Sequence, residues 1–304
     1  MTTAGPLVSA VIPVYNAERY VTEAIESVLA QTYEAIECIV VDDGSTDRTS
    51  EVVCRLGDRV RYVRGGHRGV SAARNTGAMI ARGQLLAFLD ADDVWLPTKT
   101  ERQVELISAR PELGLVYCGL RRVDSGGQPV GTFPVPDPGE VIRNVLLQRG
   151  PQPSIAQTGL IPTAIFAATG GFDEQLAATA DADLAWRIAA RYEIDGVAEP
   201  LACYRSHPAQ MHLDLAAYEH DVELLLRKAF ASGQLPVDIR GLGRQARFNL
   251  ALALAYAYRL EQPDAAQALR QVLRALWWSP ARTARWLAAG AARRLRARIA
   301  PAPG

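Results

Sequence analysis

The sequence predicts an α/β fold, a Rossmann-like, mostly parallel sheet flanked by helices, with an all-helical C-terminal extension. Three observations carry that reading. Short β-branched apolar runs alternate with helical patterns through residues 8–89. Each run stops abruptly at a polar cluster. From about His212 onward the apolar spacing is helical throughout, interrupted at Pro236, Pro263 and Pro280.

Taken in order, Val8–Val14 reads as a buried strand ended by Pro13 and Asn16. Glu18–Gln31 places Val21, Ile25, Val28 and Leu29 on one helical face, with Glu18 in the first turn. Ile36–Val41 is a second strand, broken by Asp42-Asp43-Gly44-Ser45. A helix over Asp47–Arg55, a strand over Val60–Val63 and a helix over Val70–Ala81 follow. Leu85–Leu89 is the next apolar run and ends in Asp90-Ala91-Asp92-Asp93. Residues 124–139 are rich in Gly, Pro and Asp and read as a loop or a hairpin around Ser125-Gly126-Gly127; 150–162 also reads as loop. Asp181–Arg191 is helical and Val197–Tyr204 a late strand. Helices over 213–230, 239–260, 264–277 and 281–299 complete the chain, with a domain boundary that separates 1–209 from 210–304.

Composition narrows the function. The 304 residues are 49% apolar and 22% charged, which is globular usage. Thirty-three basic and thirty-three acidic residues cancel, which disfavours a nucleic-acid partner. The balance is uneven along the chain: residues 264–304 carry eight arginines against Asp264 alone, so the body is acidic and the tail basic. Four dispersed cysteines suggest neither a zinc site nor a disulfide framework. No secretory leader and no membrane span are visible, so the expected location is cytoplasmic.

The polar clusters share one position, the C-terminal ends of predicted strands, where open α/β sheets bind ligands. This places Tyr15, Asp43 and Asp92 along one rim. In Asp90-Ala91-Asp92 two carboxylates follow a strand directly, an arrangement that is costly unless a cation neutralises it; a hard ion such as Mg2+ or Mn2+ suits such oxygens. An isolated pair of this kind is most often a solvated acidic turn, and its place directly after an apolar strand weakens that reading. Asp43 can accept the imide N–H of a uracil-type base, while Ser45 or Asp47 caps the next helix. The loop Gly65-Gly66-His67-Arg68-Gly69 enters a helix carrying Arg74, so its amides with Arg68 or Arg74 can approach a diphosphate; no dinucleotide fingerprint or P-loop is present. Asp183 and Arg187 are spaced i, i+4 as a surface pair, whereas Asp181 faces inward, partly withdrawn from water and so a stronger proton acceptor.

Six motifs in order carry a resemblance: Val8–Asn16, Val41–Asp47, Ala72–Gly77, Phe88–Asp93, Gly170-Gly171-Phe172-Asp173-Glu174 and Asp181–Arg187. The sequence resembles the family 2 inverting glycosyltransferases of GT-A fold over about residues 6–208. The resemblance implies a nucleotide-sugar donor, UDP-linked for preference, a glycan or lipid-linked acceptor, and Mn2+ or Mg2+ as cofactor, in surface polysaccharide or glycoconjugate assembly. It implies that Pro13, Val14 and Tyr15 flank the base, that Asp43 binds it, that Asp90 contacts the ribose or sugar, and that Arg74 lies near the sugar diphosphate. Asp92 then ligates the metal, with His207 of Tyr204-Arg205-Ser206-His207 beside it, although a lone histidine is more often structural. Asp181 matches the general base. Ala180 stands where that family carries an acidic residue, which motivates the alternative of a non-catalytic nucleotide-sugar binder or scaffold. A nucleotidyltransferase would want a basic glycine-rich loop after the first strand, and Pro13-Val14-Tyr15-Asn16 is not one.

The tail is a separate expectation. Over 281–299, Leu287, Ala291, Leu295 and Ile299 form a stripe opposite Arg282, Arg285, Arg293 and Arg296. Such a helix rests peripherally on the inner face of a membrane, or packs on the domain with a solvated arginine face.

Overall fold

The computed structural model describes residues 5–207, 214–260 and 262–288, which fall into two compact units. The first comprises residues up to Val145 together with the stretch from Arg149 to the break after His207. The second comprises 146–148 and the chain from Asp214.

The first unit is built on one nine-stranded sheet. Its strands are β1 (Val8–Val14), β2 (Ile36–Asp42), β3 (Arg61–Arg64), β4 (Leu85–Phe88), β5 (Val94–Trp95), β6 (Leu113–Val123), β7 (Pro129–Phe133), β8 (Leu160–Pro162) and β9 (Glu193–Arg205). Their order is β3-β2-β1-β4-β8-β6-β9-β5, with β7 paired to β6. The first four strands are parallel, as βαβ units require, and the rest of the sheet is mixed. Helices α1 (Val21–Leu29), α2 (Thr49–Cys54), α3 (Val70–Ile80), α4 (Lys99–Ala109), α5 (Val141–Leu147), α6 (Ile155–Thr158), α7 (Thr163–Ala168) and α8 (Ala180–Ala189) connect the strands.

β1 is buried along its whole length, which is why its sequence is a continuous apolar run rather than an alternating one. Its one polar side chain, Ser9, is satisfied in place: the hydroxyl donates to Glu37 Oε1 at 2.5 Å and accepts from the Gly83 amide at 2.8 Å. Pro13 is tolerated in a central strand because β4 pairs only as far as Val11, so no ladder partner faces the nitrogen that lacks a proton. Gly77 lets α3 lie close on the sheet; a Cβ there would come within 2.3 Å of Val11 Cγ1.

Several boundaries differ from the sequence reading. Glu18 lies before α1 rather than in its first turn, and its carboxylate accepts from the Arg48 amide and Nε. The 150–162 stretch holds α6 and β8, elements of four and three residues that are too short to show a period. Residues 124–128 do turn a hairpin, with Asp124 Oδ1 accepting from the amides of Gly126 and Gln128 at 2.9 Å each.

In the second unit, α9 (Leu215–Ala231), α10 (Val237–Arg240), α11 (Gly243–Leu260) and α12 (Ala265–Trp278) are all helical. The helix expected over 239–260 is two helices parted at Gly241-Leu242. Residues 280–288 are also helical; the rest of the 281–299 stretch lies outside the described residues.

Candidate active site

Register places the site. Val14 pairs with Asp42, so β1 and β2 end level and the Asp43 amide donates to the Val14 carbonyl at 2.9 Å. The two strand ends are then knitted by side chains. Asn16, held at φ 50°, accepts the Thr46 amide through Oδ1 at 2.8 Å, and its own amide donates to Ser45 Oγ at 3.0 Å. Asp42 closes the turn, accepting from the Ser45 amide at 2.7 Å and the Tyr62 hydroxyl at 2.6 Å. Asp43 is thereby freed for the rim.

The cavity above these strand ends has a volume of about 820 Å³ and is lined by Pro13, Val14, Tyr15, Asp43, Arg74, Asp90, Asp92, Asp181 and His207 among others. The structure therefore brings together every residue singled out for the site. At one end the Tyr15 ring stacks on His67 with centroids 4.2 Å apart. Asp43 is buried and braces the glycine loop: Oδ1 accepts from the Arg68 amide and Oδ2 from the Gly69 amide, both at 2.8 Å, with His67 Nδ1 3.1 Å from Oδ2. The Arg68 side chain is turned away to pair with Glu174 at 2.7 Å, so of the two arginines only Arg74 lines the cavity.

Arg74 is the central cation. Its Nη2 lies 2.6 Å from Asp90 Oδ1 and its Nη1 3.7 Å from Asp181 Oδ1, and the guanidinium rests 5.2 Å above the Phe172 ring. Asn75, next along α3, fixes that phenylalanine: Oδ1 accepts from the Phe172 amide and Nδ2 donates to its carbonyl, each at 2.9 Å. Gly171 has φ 66°, and a Cβ there would meet Asn75 Oδ1 at 2.8 Å, which explains the glycine pair before Phe172.

Asp90 is pinned from both sides, since Gln157 Nε2 donates to Oδ2 at 2.7 Å. Burial pushes its carboxyl up to about 6; Arg74 opposes this, and the neighbouring Asp92 and Asp181 add to it. Asp93 is more deeply buried, with Oδ1 accepting from the Arg205 amide at 2.8 Å and Oδ2 without a partner. Burial, with Asp92 and Asp90 close by, raises Asp93 well above the usual carboxylate range. The β5–β9 register, Val94 opposite Cys203, carries the chain after β9 back to the acidic turn. There His207 Nε2 lies 2.8 Å from Asp92 Oδ2, and Arg205 Nε donates to the Asp92 carbonyl at 2.8 Å.

Asp181 enters from the first turn of α8. Its Oδ2 accepts from the Ala156 amide at 3.1 Å and the Ser154 hydroxyl at 3.3 Å, while Oδ1 makes no hydrogen bond. Ala180 is fully buried, so a carboxylate in its place would have to leave water. Asp183 and Arg187 do pair, at 2.8 Å, but not on the surface: Asp183 is fully buried and also accepts from Trp186 Nε1, while Arg187 donates to the carbonyls of Thr169 and Gly171. An i, i+4 spacing gives proximity along a helix and says nothing about which side is covered. His67, Ser154, Gln157 and Arg205 are site residues that the sequence reading did not assign.

Comparison with known proteins identifies the family. The model of the family described as Glycosyl transferase family 2 matches residues 9–148. An uncharacterised glycosyltransferase of Nostoc is 32% identical over 228 residues, 71% of this chain and 70% of that protein. The chain belongs to glycosyltransferase family 2. An uncharacterised glycosyltransferase of Rickettsia typhi is 35% identical over 68% of this glycosyltransferase, which spans just under two thirds (66%) of that relative. The Escherichia coli UDP-Glc:alpha-D-GlcNAc-diphosphoundecaprenol beta-1,3-glucosyltransferase WfgD is 35% identical over 47% of this chain and 55% of its own. Among solved structures, the Pyrobaculum calidifontis mannosyltransferase PcManGT, in complex with GDP-Man and Mn2+, superposes with TM-score 0.64 at 21% identity, covering 96% of this chain and 81% of that one. S. aureus TarS residues 1–349 with UDP-GlcNAc gives TM-score 0.63 at 17% identity, covering 91% and 82%. These neighbours establish the GT-A fold of the transferase.

Proposed function

We propose that this glycosyltransferase moves a sugar from a nucleotide-sugar donor, a UDP-sugar for preference, to an acceptor hydroxyl in a metal-dependent single displacement that inverts the anomeric centre. The observation that carries the reading is the convergence of Asp43, Asp90, Asp92 and Asp181, drawn from three separate segments, on one cavity lined by Arg74. Its volume is of the size that small-molecule ligands occupy.

Each end of the cavity has a distinct chemistry. Tyr15, stacked on His67, presents an aromatic face to a base, and Asp43 stands beside it as an acceptor for an imide N–H. Arg74 offers positive charge and hydrogen bonds to the diphosphate, and Asp90 offers an acceptor to a ribose or sugar hydroxyl. Asp181, held in the cavity wall through Oδ2, would take the proton of the acceptor hydroxyl as that oxygen bonds the anomeric carbon and the nucleoside diphosphate departs with the bonding pair. Relatives' names point the same way: WfgD is named for a UDP-sugar and a diphosphoundecaprenol acceptor, which favours a lipid-linked acceptor in glycan assembly here.

The donor set fits a divalent cation. Asp92 and His207 bring an oxygen and a nitrogen to one point, and no group of three or more His, Cys, Asp or Glu able to hold a metal occurs among the described residues. Two protein ligands suit an ion that keeps waters and shares the diphosphate rather than one caged by protein alone. Asp92 and His207 would hold Mn2+ or Mg2+, which would neutralise charge on the departing diphosphate. In PcManGT the bound ion is Mn2+.

The test pairs binding with turnover. Thermal shift against UDP-, GDP- and dTDP-sugars with Mn2+ identifies the donor, because a ligand bound only by the native state raises its melting temperature. Asp181→Asn should keep that shift and lose transfer by roughly two to four orders of magnitude. NMR of the product should show the opposite anomer to the donor. Turnover near that of the native enzyme would remove Asp181 as the base, and hydrolysis or transfer of any donor would exclude a purely binding role.

A further inference from the structure

A helix that packs on its own domain turns its apolar stripe inward. Helix α12 packs Ala275 and Trp278 inward but leaves a second apolar row outside. Its buried residues are Gln271 and Ala275, whereas Leu269, Leu273 and Trp277 are 59%, 58% and 77% exposed. These three are spaced by four and share one face, which at 100° per residue lies roughly opposite the Gln271–Ala275 side. The orientation is fixed by polar contacts rather than by fraying. Gln271 Nε2 donates to Glu219 Oε2 at 2.7 Å, and Arg274 pairs with Glu219 and, at 2.6 Å, with Glu223. Ala275 packs with Phe248 and Ala251 of α11. The apolar face therefore points outward by construction.

Charge says what covers it. Arg270 is exposed beside the stripe on α12, and Arg282 and Arg285 are exposed on the helical residues 280–288 together with Leu287. The stretch 264–304 carries eight arginines against Asp264. A second copy of this chain would bring the same cations to the contact and repel, whereas an anionic surface satisfies the leucines, the tryptophan and the arginines at once. No helix among the described residues is long and apolar enough to cross a membrane, so the contact is one that lies on a surface. We propose that the outward face of α12 sits in the interfacial layer of an anionic bilayer, with Leu269, Leu273 and Trp277 among the acyl chains and the flanking arginines at the level of the lipid phosphates. The proposal rests on this surface alone and stands whatever the cavity binds.

Flotation of the full chain with vesicles tests it, using phosphatidylcholine alone and phosphatidylcholine mixed equally with phosphatidylglycerol. The native protein should float with the mixed vesicles, far less with the neutral ones, and less as salt is raised. The triple variant Leu269→Gln/Leu273→Gln/Trp277→Gln should partition about ten-fold more weakly or worse. The three side chains are exposed, so its far-UV circular dichroism and its melting temperature should match the native protein's. A second measurement does not depend on the triple variant: adding mixed vesicles should blue-shift the tryptophan emission, and Trp277→Phe should remove most of that shift. Equal flotation of native and triple variant overturns the proposal, as does flotation with neither vesicle. So does a native dimer that the triple variant converts to monomer, because the face would then belong to a second copy.

Discussion

His207 Nε2 and Asp92 Oδ2 lie 2.8 Å apart although 115 residues separate them in the chain. The approach is a product of the β5–β9 register, and Arg205 reinforces it by bonding the Asp92 carbonyl and the Asp93 carboxyl through its side chain and its amide. If this pair holds the divalent ion, both members should be needed for it. His207→Ala and Asp92→Asn are each expected to abolish the extra thermal shift that Mn2+ adds to nucleotide binding. Titration calorimetry with Mn2+ and nucleotide should show the affinity falling by about ten-fold or more for His207→Ala. Unchanged Mn2+ dependence in both variants would exclude the pair.

Asp90 predicts a pH dependence. Its carboxyl is pushed up to about 6 in the folded chain by burial, against 3.8 for an ordinary aspartate. The folded state thus holds the proton more tightly than the unfolded state between these values. Keeping Asp90 ionised costs stability above about pH 6, and that cost is relieved as the pH falls through 6 toward 3.8. Donor binding that uses the ionised Asp90–Arg74 pair should accordingly decline on an acidic limb near pH 6. Removing the charge with Asp90→Asn should move the melting temperature relative to the native chain by an amount that changes between pH 8 and pH 4 in the sense of a lost high-pH penalty. A pH-independent difference would contradict it.

The parts of the site legible in sequence are those tied to strand ends. Tyr15, Asp43, Asp90 and Asp92 follow apolar runs directly, so period and punctuation alone place them on one rim. Asp181 was legible because its helix is long enough to define an inner face. Ser154 and Gln157 were not, since α6 has four residues and their importance comes only from lying between Asp90 and Asp181. Arg205 escaped for a different reason: its partners Glu23, Asp92 and Asp93 are brought to it by β5 pairing with β9, two residues of β5 that carry no readable pattern. Periodicity also identified 264–277 as a helix without revealing which face is turned inward, because that depends on where Glu219 and Glu223 of α9 lie.

Lys99 should leave a signature in stability. It is fully buried, with its ammonium 4.0 Å above the Trp95 ring and 2.8 Å from Gln103 Oε1. Burial lowers its pKa to about 8 from 10.5. Below about pH 8 the lysine is charged in both states and the full cost of burying that charge is present; as the pH rises from 8 toward 10.5 the folded state sheds its proton first and the cost disappears. The melting temperature of Lys99→Met minus that of the native protein should therefore be largest at or below pH 8 and fall toward pH 10. A flat difference over that range would mean that the ring and Gln103 fully compensate the buried charge.

Asn75 offers a way to perturb Arg74 without touching it. Both hydrogen bonds that Asn75 makes to the Phe172 backbone are long-range, spanning 97 residues, and Phe172 is the ring on which the Arg74 guanidinium rests. Asn75→Ala removes both bonds and leaves the Phe172 amide and carbonyl to find water, at a cost of about 1–3 kcal/mol. Asn75→Asp keeps the acceptor for the amide but sets a carboxylate against the carbonyl. If the asparagine acts by holding the floor under Arg74, both variants should raise the donor KM more than they lower kcat, since Asp181, the proposed base, is fastened separately through Ala156 and Ser154. Denaturant melts would record the stability loss, and steady-state kinetics the split. A fall in kcat with KM unchanged would show instead that the Gly170–Glu174 turn positions Asp181, and would shift the role of Asn75 from the donor to the base.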